Sequence, residues 1–98
     1  MTSELYRAPE QIDLFSEYPI GERVDIWALG CIIFTLLTFK SPFNPREKLD
    51  QINGRYTIPE NIILSEGMKD LLKKVLEPNP FNRISSAELW SIIDGLRN

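Results

Sequence analysis

The feature that most constrains this chain is one apolar run, Val24 to Phe39. It carries Val24, Ile26, Trp27, Ala28, Leu29, Cys31, Ile32, Ile33, Phe34, Leu36, Leu37 and Phe39. The run is longer than an ordinary strand of about 5–6 residues, and shorter than the roughly 20 that a membrane helix needs. Asp25 sits near its start and Gly30 in its middle. Wound as a helix, the apolar residues occupy every face, and a helix apolar all round is buried all round. The run therefore predicts one central buried helix over about Glu22–Thr38, ending before Ser41-Pro42. A chain of 98 residues makes one domain with one modest core. Four short amphipathic helices offer that helix too little cover. The chain reads as part of a larger fold whose other elements would pack on the exposed apolar surface.

The rest of the chain supplies those four helices. Pro9 suits a first helical position and opens a short helix or turn over Ala8–Phe15. Ser16 to Gly21 is a loop by its turn residues. In Asn44-Pro45-Arg46-Glu47 the Asn caps, the Pro takes the first turn and the Glu lies three residues after the cap. That helix is expected to run to about Asn53 and stop at Gly54. Arg55 to Pro59 reads as extended. Ser65 caps a helix with Met68, Leu71, Leu72, Val75 and Leu76 at helical spacing, ended by Pro78-Asn79-Pro80. Ser85-Ser86-Ala87-Glu88 is a capping box for a last helix carrying Leu89, Trp90, Ile92, Ile93 and Leu96. The expected fold class is all-α, five helices and no strand.

Composition excludes several functions. An apolar fraction of 43% and a charged fraction of 26% are ordinary for a globular domain. Eleven Lys+Arg against fourteen Asp+Glu, a formal charge of −3, argues against nucleic acid or an anionic membrane as main partner. One cysteine and no histidine rule out an intrachain disulfide, and with it a disulfide-stapled secreted domain. They also rule out a Ser-His-Asp or Cys-His hydrolase built from this chain alone. A zinc site would have only carboxylates and Cys31 to draw on, so no metal is expected. Met1-Thr2-Ser3-Glu4 is followed by polar residues rather than a signal-type apolar run, so a reducing, cytoplasmic location is the expectation.

Four ordered elements carry a resemblance. Tyr6-Arg7-Ala8-Pro9-Glu10 contains the Ala-Pro-Glu that closes a protein-kinase activation segment. Asp25-Ile26-Trp27-Ala28-Leu29-Gly30 resembles the Asp-x-Trp-x-x-Gly start of the kinase central helix. Ser41-Pro42-Phe43 resembles the segment leading into the next helix. Leu76 to Arg83 resembles the Leu-x-x-x-Pro-x-x-Arg element between the last two helices. The chain as a whole resembles the distal large lobe of a serine/threonine protein kinase, from the end of the activation segment to the last helix. Its finer likeness is to the Numb-associated group, which includes the adaptor-associated and cyclin-G-associated kinases, through Tyr6–Glu10, Asp25–Cys31 and Tyr56-Thr57-Ile58-Pro59. The resemblance implies ATP and Mg²⁺ as cofactors of a complete kinase. It implies protein substrates, and the remainder of the kinase domain, as partners. The Gly-rich loop, strand Lys, catalytic-loop Asp and Asn, and Asp-Phe-Gly do not occur in these residues. No catalytic residue is therefore expected here, and the chain alone is not expected to position ATP. Two rivals stand beside this reading: a non-catalytic protein-binding module or pseudokinase remnant, and an unrelated helical domain with accidental matches.

The resemblance also implies residue roles. Glu10 and Arg83 would form a buried ion pair. On charge alone, two residues 73 positions apart would be read as solvated. Ala8, Pro9, Trp27 and Gly30 would be structural, with Trp27 in the core. Asp25 would accept backbone N–H groups from the catalytic loop, and would be under-satisfied without it; the plain reading is a first-turn Asp favoured by the helix dipole. Ser3 and Tyr6 match the Thr-x-x-Tyr spacing of the substrate-binding loop, with Ser keeping the hydroxyl; the plain reading is a frayed terminus. Lys69, Asp70, Lys73 and Lys74 are a solvated helix face. Cys31 is a small buried hydrophobe rather than a nucleophile.

Overall fold

The computed structural model describes residues 6–13, 21–44 and 46–96. Five helices follow one another: α1 Pro9–Ile12, α2 Arg23–Thr38, α3 Lys48–Ile52, α4 Glu66–Val75 and α5 Ser86–Leu96. No strand occurs among the described residues, and the 55–59 segment carries no regular secondary structure. The all-α expectation holds. The reading of 16–20 as a loop falls outside the described residues, whereas α1 ends at Ile12 with Asp13 as its C-cap, short of the expected Phe15.

Local chemistry explains most boundaries. Pro9 takes the first position of α1, and the Ala8 amide donates to Gln11 Oε1 at 2.9 Å. This is the return half of a capping box on a residue that has no side-chain acceptor of its own. Ser65 Oγ accepts from the Met68 amide at 3.2 Å and caps α4. α4 ends at Val75, with the Leu76 amide bonded to Leu72 O, before Pro78 could interrupt the ladder. Ser85 and Glu88 make the reciprocal box: Ser85 Oγ accepts from the Glu88 amide at 3.2 Å, and Glu88 Oε1 from the Ser85 amide at 3.3 Å.

The start of α3 also differs from the sequence reading. Asn44 does not cap α3, which begins at Lys48 with Glu47 as its N-cap. Asn44 Oδ1 instead accepts from the Arg46 amide at 2.9 Å, and Asn44 O from the Glu47 amide at 2.9 Å. The side chain is spent on an Asx turn that precedes the helix, the same chemistry used one turn early. Gly54 does stop α3, with φ +66°, the left-handed conformation that glycine adopts freely.

The core lies between α2 and α4. α2 buries Ile26, Trp27, Gly30, Cys31, Phe34 and Thr38, a stripe at helical spacing. Gly30 is there because there is no room for anything larger. A Cβ at Gly30 would stand 2.7 Å from Val75 Cγ2 and 3.0 Å from Leu76 Cδ2. Leu71, Leu72, Val75 and Leu76 face the same core. Phe43 stacks on Trp27 at 5.4 Å, and Tyr56 meets Phe34 edge-on at 5.5 Å, so the two segments after α2 fold back over it.

The opposite face of α2 is open. Leu29 is 38% exposed, Ile32 40% and Leu36 72%. The central helix is thus buried along one stripe rather than all round, because the packed elements cover only one side of it. At its C-terminus Phe39 closes the helix in the left-handed region, φ 62°, with its ring exposed.

Candidate functional site

The Pro78-Asn79-Pro80 turn that follows α4 sets the geometry of the site. Asn79 O accepts the amides of Asn82 and Arg83, both at 3.0 Å, and Asn79 Oδ1 accepts the Phe81 amide at 2.9 Å. The chain curls back on itself, and Arg83 is carried underneath the start of α2. Arg83 is 1% exposed.

A buried guanidinium is costly unless all its donors are used. Here each of the five N–H donors has an acceptor. Nε donates to Glu77 O at 2.8 Å. One terminal nitrogen donates to Glu10 Oε2 at 2.8 Å and to Arg23 O at 2.9 Å. The other donates to Glu10 Oε1 at 2.9 Å and to Pro78 O at 3.3 Å. The Glu10 pair is bidentate, the arrangement that matches a planar fork to a carboxylate. Neither side chain of the pair reaches solvent. The Arg83 carbon Cζ also lies 5.0 Å from the centroid of the Trp27 ring, within cation–π range. Arg23 completes the knot from the other side, donating to Arg83 O and, at 3.0 Å, to Pro80 O.

The structure thus brings Glu10, Trp27 and Arg83 together, with Ala8 and Pro9 buried alongside. It does not bring in Asp25 or Gly30. Asp25 lies exposed in the first turn of α2, where the helix dipole favours it. It is not under-satisfied, because it is not buried. Gly30 serves the α2–α4 contact instead. Tyr6 is half-buried against the core, and Ser3 lies outside the described residues. Lys69 and Lys74 pair with Glu66 and Asp70 on the exposed face of α4.

Two residues that sequence reasoning missed belong to the same region. Arg23 closes the knot. Gln51, 1% exposed, donates from Nε2 to Arg7 O at 2.8 Å, tying α3 to the segment before α1. Neither carries a local signal, since each is defined by a backbone carbonyl distant in sequence.

The knot holds elements together and has no reactive group. Every donor of Arg83 is engaged. Cys31 lies buried nearby, and burial pushes its thiol up to about 12, with the Arg83 charge opposing only in part; it is neither a nucleophile nor a metal ligand at neutral pH. Among the described residues, no group of three or more His, Cys, Asp or Glu side chains could hold a metal. The kinase motifs that hold Mg²⁺–ATP do not occur in these residues. No described helix is long and apolar enough to cross a membrane.

Comparison with known proteins agrees with this architecture. The sequence profile of the protein kinase domain matches residues 1–92. A probable serine/threonine-protein kinase of Dictyostelium discoideum is 40% identical over 97 residues, which is 99% of this chain and 9% of that protein. A second from the same organism is 36% identical over 98% of this chain and 12% of its own length. Actin-regulating kinase 1 of Saccharomyces cerevisiae is 34% identical over 99% of this chain and 15% of its own length. The chain therefore spans a small part of each of these relatives. With the Ala-Pro-Glu end, the central helix and the Arg83 turn all in their places, the chain belongs to the protein kinase domain family.

Proposed function

We propose that these residues form the distal large lobe of a serine/threonine protein kinase. The complete protein would transfer the γ-phosphoryl group of ATP, with Mg²⁺, to a serine or threonine hydroxyl of a protein substrate. The chemistry would rest on residues outside this chain. This chain would contribute shape: Ser3 and Tyr6 in the loop beside the phosphoacceptor, and the Glu10–Arg83 knot holding the end of the activation segment to the lobe. The single observation that carries the reading is the bidentate, solvent-free Glu10–Arg83 pair, in a chain that the kinase profile matches from residue 1 to 92. Such a pair fixes the segment that follows the substrate loop at no conformational freedom, which a peptide-binding surface requires.

Within the kinases, the Numb-associated group is the nearest assignment, supported by Tyr6–Glu10, Asp25–Cys31 and Tyr56–Pro59 as they stand in the sequence. A cytoplasmic location is supported by the lone, buried cysteine.

The test is phosphoryl transfer by the complete protein, offered Ser, Thr and Tyr peptides with labelled ATP and Mg²⁺. Transfer to Ser or Thr is the expected result. Transfer confined to Tyr, or none at all, would overturn the proposal, the latter in favour of a non-catalytic module. In calorimetry the isolated chain should show no saturable Mg²⁺–ATP binding; sub-millimolar binding would contradict the division of labour.

A further inference from the structure

α3 is a five-residue helix, Lys48–Ile52, too short to persist by its own hydrogen bonds. Lys48 and Leu49 are exposed, and Asp50 and Ile52 half-buried. Gln51 alone is enclosed, at 1% exposure. A buried amide side chain requires partners, and this one reaches Arg7 O at 2.8 Å across 44 positions of sequence. The placement of Arg7 makes the contact informative. Its side chain is exposed, so its carbonyl is what the fold holds. On one side lies Tyr6, packed against the core; on the other lies Ala8, fully buried, with its amide on Gln11 Oε1. The 6–8 segment is therefore pinned from α1 through Ala8 and from α3 through Gln51.

We propose that Gln51 is a positioning residue for the peptide-binding loop, setting the height of its backbone through the Arg7 carbonyl. This rests on the proposed kinase function, in which Ser3 and Tyr6 belong to the loop beside the phosphoacceptor. Gln51 touches no reacting atom. Its loss changes how well a protein substrate is received, and leaves nucleotide binding alone. Leu at this position keeps the bulk but leaves Arg7 O without its donor, and Glu keeps the shape but sets a carboxylate against that carbonyl.

The experiment uses the complete protein with Gln51→Leu and Gln51→Glu, and Leu49→Ala as a control on the exposed side of the same helix. Two quantities are read: amide hydrogen exchange at residues 6–8, and steady-state kinetics with a Ser/Thr peptide. In both Gln51 variants exchange at residues 7 and 8 should quicken about two- to thirteenfold, the factor a lost neutral hydrogen bond implies, while α4 and α5 stay protected. KM for the peptide should rise by a similar factor, with kcat and KM for ATP within about twofold of wild type. Leu49→Ala should change neither. Unchanged exchange at residues 6–8 would overturn the tether. A common fall in melting temperature, kcat and both KM-derived affinities would overturn the positioning role in favour of a structural one. If both Gln51 variants fail to fold, the wild-type protein decides. Saturating peptide should slow exchange of the Gln51 side-chain amide, and no change would overturn the proposal. Absence of phosphoryl transfer by the wild-type protein would remove the kinase reading, whereas unchanged exchange would remove the tether, so the two failures are read separately.

Discussion

The N-terminal turns of α2 and its open face meet opposite surroundings. At its N-terminal end Arg23 and Trp27 lie against a guanidinium whose every donor is engaged within the chain. Further along, Leu29, Ile32 and Leu36 present apolar surface to solvent. The region with the most expensive charges to bury pairs them all, although the buried Trp27 Nε1 beside them has no hydrogen-bond partner among the described residues, and the region made of the cheapest groups to bury is left open. Polar satisfaction is all-or-none: an arginine short of one acceptor carries the full desolvation penalty of that donor, so its partners have to come together as a set. Apolar burial is graded by area, so a helix can leave one face for another body to cover. In the proposed kinase, that body would be the catalytic part of the lobe.

The largest effect should come from breaking the buried ion pair. Glu10→Ala leaves the Arg83 charge buried and unpaired, and Arg83→Ala does the same to Glu10. Each should cost about 3–5 kcal/mol in denaturant titrations of the complete protein. A loss below about 1 kcal/mol would place the pair among ordinary surface charges.

Gly30→Ala tests the contact between the buried stripe of α2 and α4. Its Cβ would meet Val75 Cγ2 at 2.7 Å, and the overpacking should cost about 1–3 kcal/mol. The better helix propensity of alanine, about 1 kcal/mol, offsets part of it. A stabilised variant would mean that α2 and α4 sit further apart than described.

Polar substitution of the open face sharpens the contrast. In the isolated chain Leu29→Ser, Ile32→Ser and Leu36→Ser should each change stability by no more than about 0.5 kcal/mol. Together they should reduce dye binding and self-association, which exposed apolar surface promotes. If the rest of the proposed kinase covers this face, the same changes in the complete protein should cost about 2 kcal/mol or more. A clean monomer of the wild-type chain, with a sharp two-state melt and no dye binding, would contradict the open face.

The smallest effect near neutral pH belongs to Cys31. Its folded thiol is pushed up to about 12 from an ordinary 9.0. The unfolded chain therefore gives up this proton first. Stability from the neutral thiol is complete below pH 9, falls as pH rises above it, and is lost near 12. At pH 8 a thiol reagent should label Cys31 no faster than the chain unfolds; rapid labelling would mean the thiol is not enclosed.

The caps were legible in the sequence because their chemistry is local. Ser65 and the Ser85–Glu88 box act on amides three residues away. Asn44 misleads for the same reason: an Asx turn and an N-cap use one side-chain oxygen on nearby amides, and only the path of the following backbone decides between them. The length and place of α2 follow from its run of apolar residues, but which side is covered depends on what else packs there. Glu10 and Arg83 are legible only through the family resemblance, since nothing in a lone Glu or Arg announces a partner 73 positions away. Arg23 and Gln51 escape sequence reading altogether, because their acceptors are carbonyls that exist at those places only after folding. Asp25 takes a solvent-exposed place that its position in the first turn of an apolar helix already allows.

The central claim is that the Ala-Pro-Glu end and the turn after α4 are locked to each other through one buried pair. A double-mutant cycle on Glu10→Ala and Arg83→Ala in the complete protein tests it most directly. The double variant should lose much less than the sum of the singles, because the stranded charge is gone, and the coupling should reach at least about 1 kcal/mol. Additive losses would mean that Glu10 and Arg83 do not touch, and would contradict the architecture at its longest-range contact.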